Sequence, residues 1–198
     1  MMMLRSSPAS PFGRKVLIAA ALAGLAGRIQ TVAADTSDPA DTIRQQNPLG
    51  KIPALILADG TVYFDSRVIV EYLDHLAGGD VLIPTESEAR FRALTLAALA
   101  DGIADAALLL VYEERLRDAA KRDPKWVALQ DEKIQRGLQA FEKTLPAGRR
   151  DIAHIGLACA LGYLDLRFKG TWRGDHPHLT QWLEAFAAEV PAFEATRA

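Results

Sequence analysis

Every stretch of this chain that reads as a β-strand lies ahead of Pro84, and everything behind it reads as helix. A sheet wound through all 198 residues is thereby ruled out. The pattern demands a small sheet finished early and a helical unit after it, an α+β arrangement. Met2 to Arg5 is short and apolar enough for a buried strand, and Ser6-Ser7-Pro8-Ala9-Ser10-Pro11 is a loop running into a helix. Ser10 is a good N-cap, and Pro11 takes the first helical position, where its missing N–H costs nothing. The helix is expected to end at Gly24 or Gly27, followed by a strand over Ile29 to Ala33.

A weak helix, about Pro39 to Gln46, leads to Asn47-Pro48-Leu49-Gly50-Lys51-Ile52-Pro53. Ala54 to Leu57 and Thr61 to Phe64 form a hairpin about Asp59-Gly60. Asp65-Ser66 caps a helix over Arg67 to Leu76 whose apolar face is Val68, Ile69, Tyr72, Leu73 and Leu76. Gly78-Gly79 ends it, and the stretch to Pro84 reads as a linker. Behind it, helices are expected over Arg90 to Arg117, Pro124 to Leu145, Asp151 to Phe168 and His178 to Glu189. The expected division is a βαβ-αββα domain over 1–78, a linker over 79–85 and an all-helical domain over 86–198.

Composition narrows the partners. With 49% hydrophobic and 24% charged residues the chain is no disordered polymer, and a net charge of −2 offers no overall attraction to nucleic acid or anionic lipid. Small molecules or other proteins are the expected partners, with neither nucleic acid nor membrane. One cysteine, Cys159, excludes an internal disulfide and suits a reducing, cytoplasmic compartment. The apolar run Val16 to Gly27 behind Arg14 and Lys15 has a secretory-signal reading, with Val32-Ala33-Ala34 as the cut site. Against it, Pro8 and Pro11 interrupt a long charged region, and Arg28 and Gln30 separate the run from that site. The run is also too short to span a bilayer.

Three motifs name a ligand. Ser7-Pro8-Ala9-Ser10-Pro11-Phe12-Gly13-Arg14-Lys15-Val16 resembles the strand-to-helix turn of soluble glutathione transferases, in the bacterial form with Ser at the active-site turn. Asn47 to Pro53 is similar to their loop before the third strand, and Phe64-Asp65-Ser66 with Ile69-Val70-Glu71-Tyr72-Leu73 resembles the start and body of their third helix. The resemblance covers nearly the whole chain and is tightest over residues 4 to 76. It implies a thioredoxin-like glutathione-binding domain, an all-helical second domain, a homodimer, glutathione as co-substrate and no metal.

The resemblance assigns the catalytic hydroxyl to Ser10, with Ser7 as second choice, to stabilise the glutathione thiolate; the competing reading is that Ser10 only caps the helix. Lowering a thiol pKa from ~8.5 to ~6.5 requires roughly 3 kcal/mol. A hydrogen bond to a charged acceptor supplies about 1.5–3 kcal/mol and a helix N-terminus up to ~1 more. Pro53 is implied to be cis, turning the backbone of Ile52 toward the cysteinyl part of glutathione. Lys51 either binds the glycine carboxylate or is a solvated loop lysine. Asp65 and Ser66 hold the γ-glutamyl end or cap the helix; Asp65 is shorter than the Glu common in relatives, which bears on its reach.

For the second substrate the candidates are Phe12 and Tyr112, the latter on a helix that also carries Asp101, Asp105 and Arg115 and has a solvated or interdomain reading. Asp151 caps the helix behind it, and His154 stands where relatives commonly have an acidic capping partner, which weakens the argument for a reciprocal box and leaves the cap intact. The implied activity is conjugation of glutathione to an electrophile, or peroxide reduction, in detoxification. The alternatives are a non-catalytic binding or interaction protein on the same fold and a glutathione-dependent isomerase or lyase.

Overall fold

The computed structural model describes residues 1–198. Four strands, β1 (Met2–Ser6), β2 (Ile29–Ala33), β3 (Ala54–Ile56) and β4 (Val62–Tyr63), form one sheet of order β2-β1-β3-β4. β1 runs parallel to β2, with Met2 opposite Ile29, and antiparallel to β3, with Arg5 opposite Ala54. A parallel neighbour needs a crossover, supplied by α1 (Pro11–Leu22). That helix stops at the first expected glycine, because Gly24 takes the left-handed φ of 70° that a side chain resists.

The expected helix over Pro39 to Gln46 shrinks to α2 (Ile43–Gln46). The carboxylates of Asp35, Asp38 and Asp41 accept the N–H groups of Ser37, Ala40 and Ile43, and these local turns displace helical bonds. α3 (Ser66–Leu76) starts where expected and keeps most of the expected face: Ile69 and Leu73 are buried and Tyr72 and Leu76 pack on the core, but Val70 is buried in place of Val68, which is exposed. The cause is Asp74, whose Oδ1 accepts the linker N–H groups of Val81, Leu82 and Ile83 at 2.9, 2.6 and 3.4 Å. Holding that carboxylate inward rotates the buried arc toward Val70.

The rest is helical: α4 (Ser87–Leu116), α5 (Pro124–Lys143), α6 (Ile152–Phe168), α7 (Pro177–Glu189) and a short unanticipated α8 (Pro191–Ala195). α4 is long and apolar enough to cross a membrane by length and composition alone, and here it packs along α5 and α6. α6 is central, with every residue from Ile152 to Leu161 buried. Its Gly156 faces Ala97 and Ala100, where an added Cβ would lie 3.3 Å from the Ala100 methyl. One hydrophobic core runs from the sheet through α1 to α6 and α7, so the two halves share an interior.

The start of α6 carries the expected Asp151 cap and, despite the His154 substitution, a box as well. Asp151 accepts from the N–H of Ala153 at 3.0 Å, and the Nδ1 of His154 lies 3.4 Å from the Asp151 nitrogen and 2.8 Å from its Oδ1. The reciprocal box is present: imidazole nitrogen reaches the cap as a carboxylate oxygen does. The Ile152 N–H also donates to the Leu82 carbonyl at 2.9 Å, tying α6 to the linker.

Candidate functional site

Ser10 is the N-cap of α1. Its Oγ accepts the N–H of Gly13 at 3.1 Å, and its own N–H donates to the Ser7 carbonyl at 3.0 Å. With its acceptor side occupied by the helix, the hydroxyl keeps its proton for another partner. Gly13 is required here, since a Cβ at that position would overlap the Oγ of Ser6, at the end of β1. The first turn of α1 is thus pressed against the central strand, which fixes where Ser10 points.

The loop before β3 carries the second motif. Asn47, buried, donates from Nδ2 to the Lys51 carbonyl at 2.8 Å and accepts the Leu49 N–H at 3.0 Å. Sequence reasoning placed Asn47 in the motif without giving it this task. The Ile52–Pro53 bond is cis, as is Phe64–Asp65. Neither the N–H nor the C=O of Ile52 is taken by the chain's own backbone outside regular elements, so both are open to a ligand. Lys51 is exposed.

The N-terminus of α3 carries the third motif. Ser66 is buried at the first helical position behind the N-cap Asp65. The Asp65 carboxylate accepts the Arg67 N–H at 3.0 Å and pairs with its guanidinium at 2.8 Å. Burial works against its ionisation, but Arg67 more than offsets that, holding the carboxyl below the usual range. Arg67, which the sequence did not single out, also lies 3.9 Å from Asp101 of α4. Asp101 in turn pairs with the buried Lys15 of α1 at 2.6 Å.

Asp105 follows one turn later on α4 and is exposed at the surface. Loss of hydration first, and the Asp101 carboxylate second, push its carboxyl up against the pull of Arg67, Lys51 and Lys15. Asp101 of α4 therefore meets Arg67 at the α3 terminus, in line with the interdomain reading of this helix face, while Asp105 makes no ion pair. Tyr112 stands exposed further along the helix, and Arg115 is exposed as well.

A cavity of about 210 Å³ opens beside Ser10, walled by α1, α6 and the chain's last residues. Of the expected site residues only Ser10 lines it; Ser7, Lys51, Ile52, Pro53, Asp65 and Ser66 do not. Neither Phe12 nor Tyr112 does: Phe12 is half-buried with its ring centroid 5.9 Å from Lys15 Nζ, and the aromatic walls are Tyr163 and Phe193. Cys159 also borders the space, buried, with its thiol pushed up to about 12 by burial. No group of three His, Cys, Asp or Glu side chains is placed to hold a metal ion.

Two family descriptions match: the glutathione S-transferase N-terminal domain over residues 9–76 and its C-terminal domain over residues 124–185. The chain belongs to the glutathione S-transferase family. It is 35% identical to the uncharacterized GST-like protein YibF of Escherichia coli K12 across 92% of each chain. A crystal structure of a glutathione transferase family member from Pseudomonas fluorescens Pf-5 with bound glutathione shares 44% identity at a TM-score of 0.93. That match covers 100% of this chain and 98% of the other. A second crystal structure of a family member from that organism, with bound S-(propanoic acid)-glutathione, is also 44% identical, at a TM-score of 0.89 over 100% and 99% of the two chains. For this family member the matches agree with the mixed sheet and helical C-terminal part described above.

Proposed function

We propose that this chain is a glutathione transferase that ionises bound glutathione through Ser10 and lets the sulfur attack an electrophile. The observation that carries the reading is the geometry of Ser10. Its oxygen is held by the Gly13 N–H at 3.1 Å at a helix start, and its proton is free to donate beside a cavity. A thiolate there gains one hydrogen bond and the helix terminus, a sum that meets the roughly 3 kcal/mol required. Ile52 would meet the cysteinyl backbone with its open N–H and C=O. Ser66 and the α3 terminus would take the γ-glutamyl carboxylate, with Lys51 as a point charge for the glycine carboxylate.

Asp65 is committed to Arg67, so at this end the pair acts as a unit, carboxylate toward an ammonium and guanidinium toward a carboxylate. Activation is nucleophilic, without a covalent enzyme intermediate. The glutathione bound in the Pseudomonas relative supports the same ligand here.

The reading extends to a cytoplasmic homodimer with a detoxifying or peroxide-removing role and a domain division near residues 79–85. α3 and α4, bridged by Glu71 and Arg90 at 2.8 Å, expose Val68 and Phe91, an apolar pair suited to a second copy of the chain. Calorimetry with glutathione, combined with turnover of a chloronitroaromatic, tests the function. Binding with turnover is expected; binding without turnover would favour the non-catalytic alternative, and no binding would end the reading.

A further inference from the structure

Arg14 lies one helical turn beyond Ser10, is 9% exposed, and forms no ion pair with a carboxylate. Glu194 and Asp165 act on the guanidinium only from beyond ion-pair distance, and burying a cation without a close partner is costly, so its remaining donors are informative. Nε donates to the Thr196 hydroxyl at 3.2 Å, Nη2 donates to the Phe193 carbonyl at 2.5 Å, and the guanidinium carbon lies 3.9 Å from the Phe193 ring centroid. Nη1 makes no hydrogen bond within the chain. It lies against Gly162, where a Cβ would overlap it, and both residues line the cavity that opens at Ser10. The other charged side chains of that wall are committed: Asp165 to Arg173 at 2.6 Å and Arg197 to Glu194 at 2.6 Å. Loss of hydration draws the Arg14 pKa below its ordinary value, as expected of a cation its surroundings do not fully compensate.

We propose that Arg14 recognises a carboxylate on the second substrate, so that the preferred electrophiles are acidic molecules whose anion reaches Nη1 while the reactive carbon faces Ser10. This rests on the glutathione reading above and adds the substrate class. Guanidinium donors suit a carboxylate better than a neutral amide, because the charge-assisted bond is the stronger one. Gly162 is then a positioning residue, the absence of a side chain letting Nη1 reach the cavity.

The test is calorimetric binding of S-(para-carboxybenzyl)glutathione and of its neutral para-carbamoyl counterpart to the full chain, with free glutathione as reference. In the wild type the acid should bind on the order of tenfold or more tighter than the amide. Arg14→Met should bring the ratio close to one. So should Gly162→Ala, which displaces Nη1 while placing a better helix former in α6. Because Arg14 also holds the last helix, Gly162→Ala decides alone if Arg14→Met does not fold; an unchanged ratio there overturns the proposal. Equal affinities of the wild type for acid and amide overturn it while leaving the glutathione reading intact. Failure of free glutathione and both conjugates to bind defeats that reading, and this inference with it.

Discussion

The Nζ of Lys15 on α1 lies 2.6 and 2.9 Å from the two carboxylate oxygens of Asp101 on α4, with both side chains withdrawn from water. One ion pair thus joins the first helix of the sheet-bearing half to the first helix of the helical half. Lys15→Met leaves Asp101 buried, with only Arg67 near it at 3.9 Å. Breaking a buried pair from one side typically costs 3–5 kcal/mol, and Arg67 sets the expectation at the lower end, about 3 kcal/mol. Urea unfolding should show that loss, and Lys15→Met combined with Asp101→Leu should recover most of it.

Asp105 has the opposite sign from an ordinary paired carboxylate. Its folded pKa is raised, so the folded protein holds a proton that the unfolded chain releases. Stability therefore falls as pH rises from the ordinary aspartate value, ~3.9, through the raised one, and the full penalty persists at neutral pH. Asp105→Asn should raise the melting temperature at neutral pH and flatten the dependence across that window. Below the window the two proteins should melt alike, and a variant less stable at neutral pH would contradict the assignment.

Cys159 should behave as an inert core thiol. With its pKa at about 12, the reactive thiolate is a minute fraction near neutrality. Labelling by a disulfide reagent in native buffer should be slow and should track global unfolding as urea is added. Fast labelling in native buffer would mean the cavity admits the reagent to the sulfur.

Local signals explain what the sequence made legible. The Ser10-Pro11 start of α1 and the Asp65 cap of α3 each depend on neighbours within a few residues, and the structure has both; the two-residue turn expected at Asp59-Gly60 is a three-residue loop, with Leu57 opposite Thr61. What escaped depends on distant partners. Lys15 and Asp101 are 86 positions apart, and nothing local to Arg14 and Lys15 in the Ser7–Val16 motif names their partners on α4 and at the end of the chain. Val70 replaced Val68 on the buried face because Asp74 is turned toward a linker whose path no periodicity reveals. The cavity wall of Arg14, Gly162 and Tyr163 joins α1 to α6, which no motif predicts. The charge complementarity of Asp65 and Arg67 is legible at two-residue spacing, although the capping role of Asp65 alone does not require it.

Ser10 carries two tasks that can be separated. As an N-cap its loss to alanine should cost about 1 kcal/mol of stability. As a thiolate donor its loss should be felt at the sulfur. The direct measurement is an ultraviolet titration of the glutathione thiolate bound to the wild type, to Ser10→Ala and to Ser7→Ala. The wild type and Ser7→Ala should show the thiol pKa lowered by about two units from ~8.5. Ser10→Ala should bind glutathione with that pKa restored close to its free value. A pKa that stays low in Ser10→Ala, or rises only in Ser7→Ala, would contradict the account.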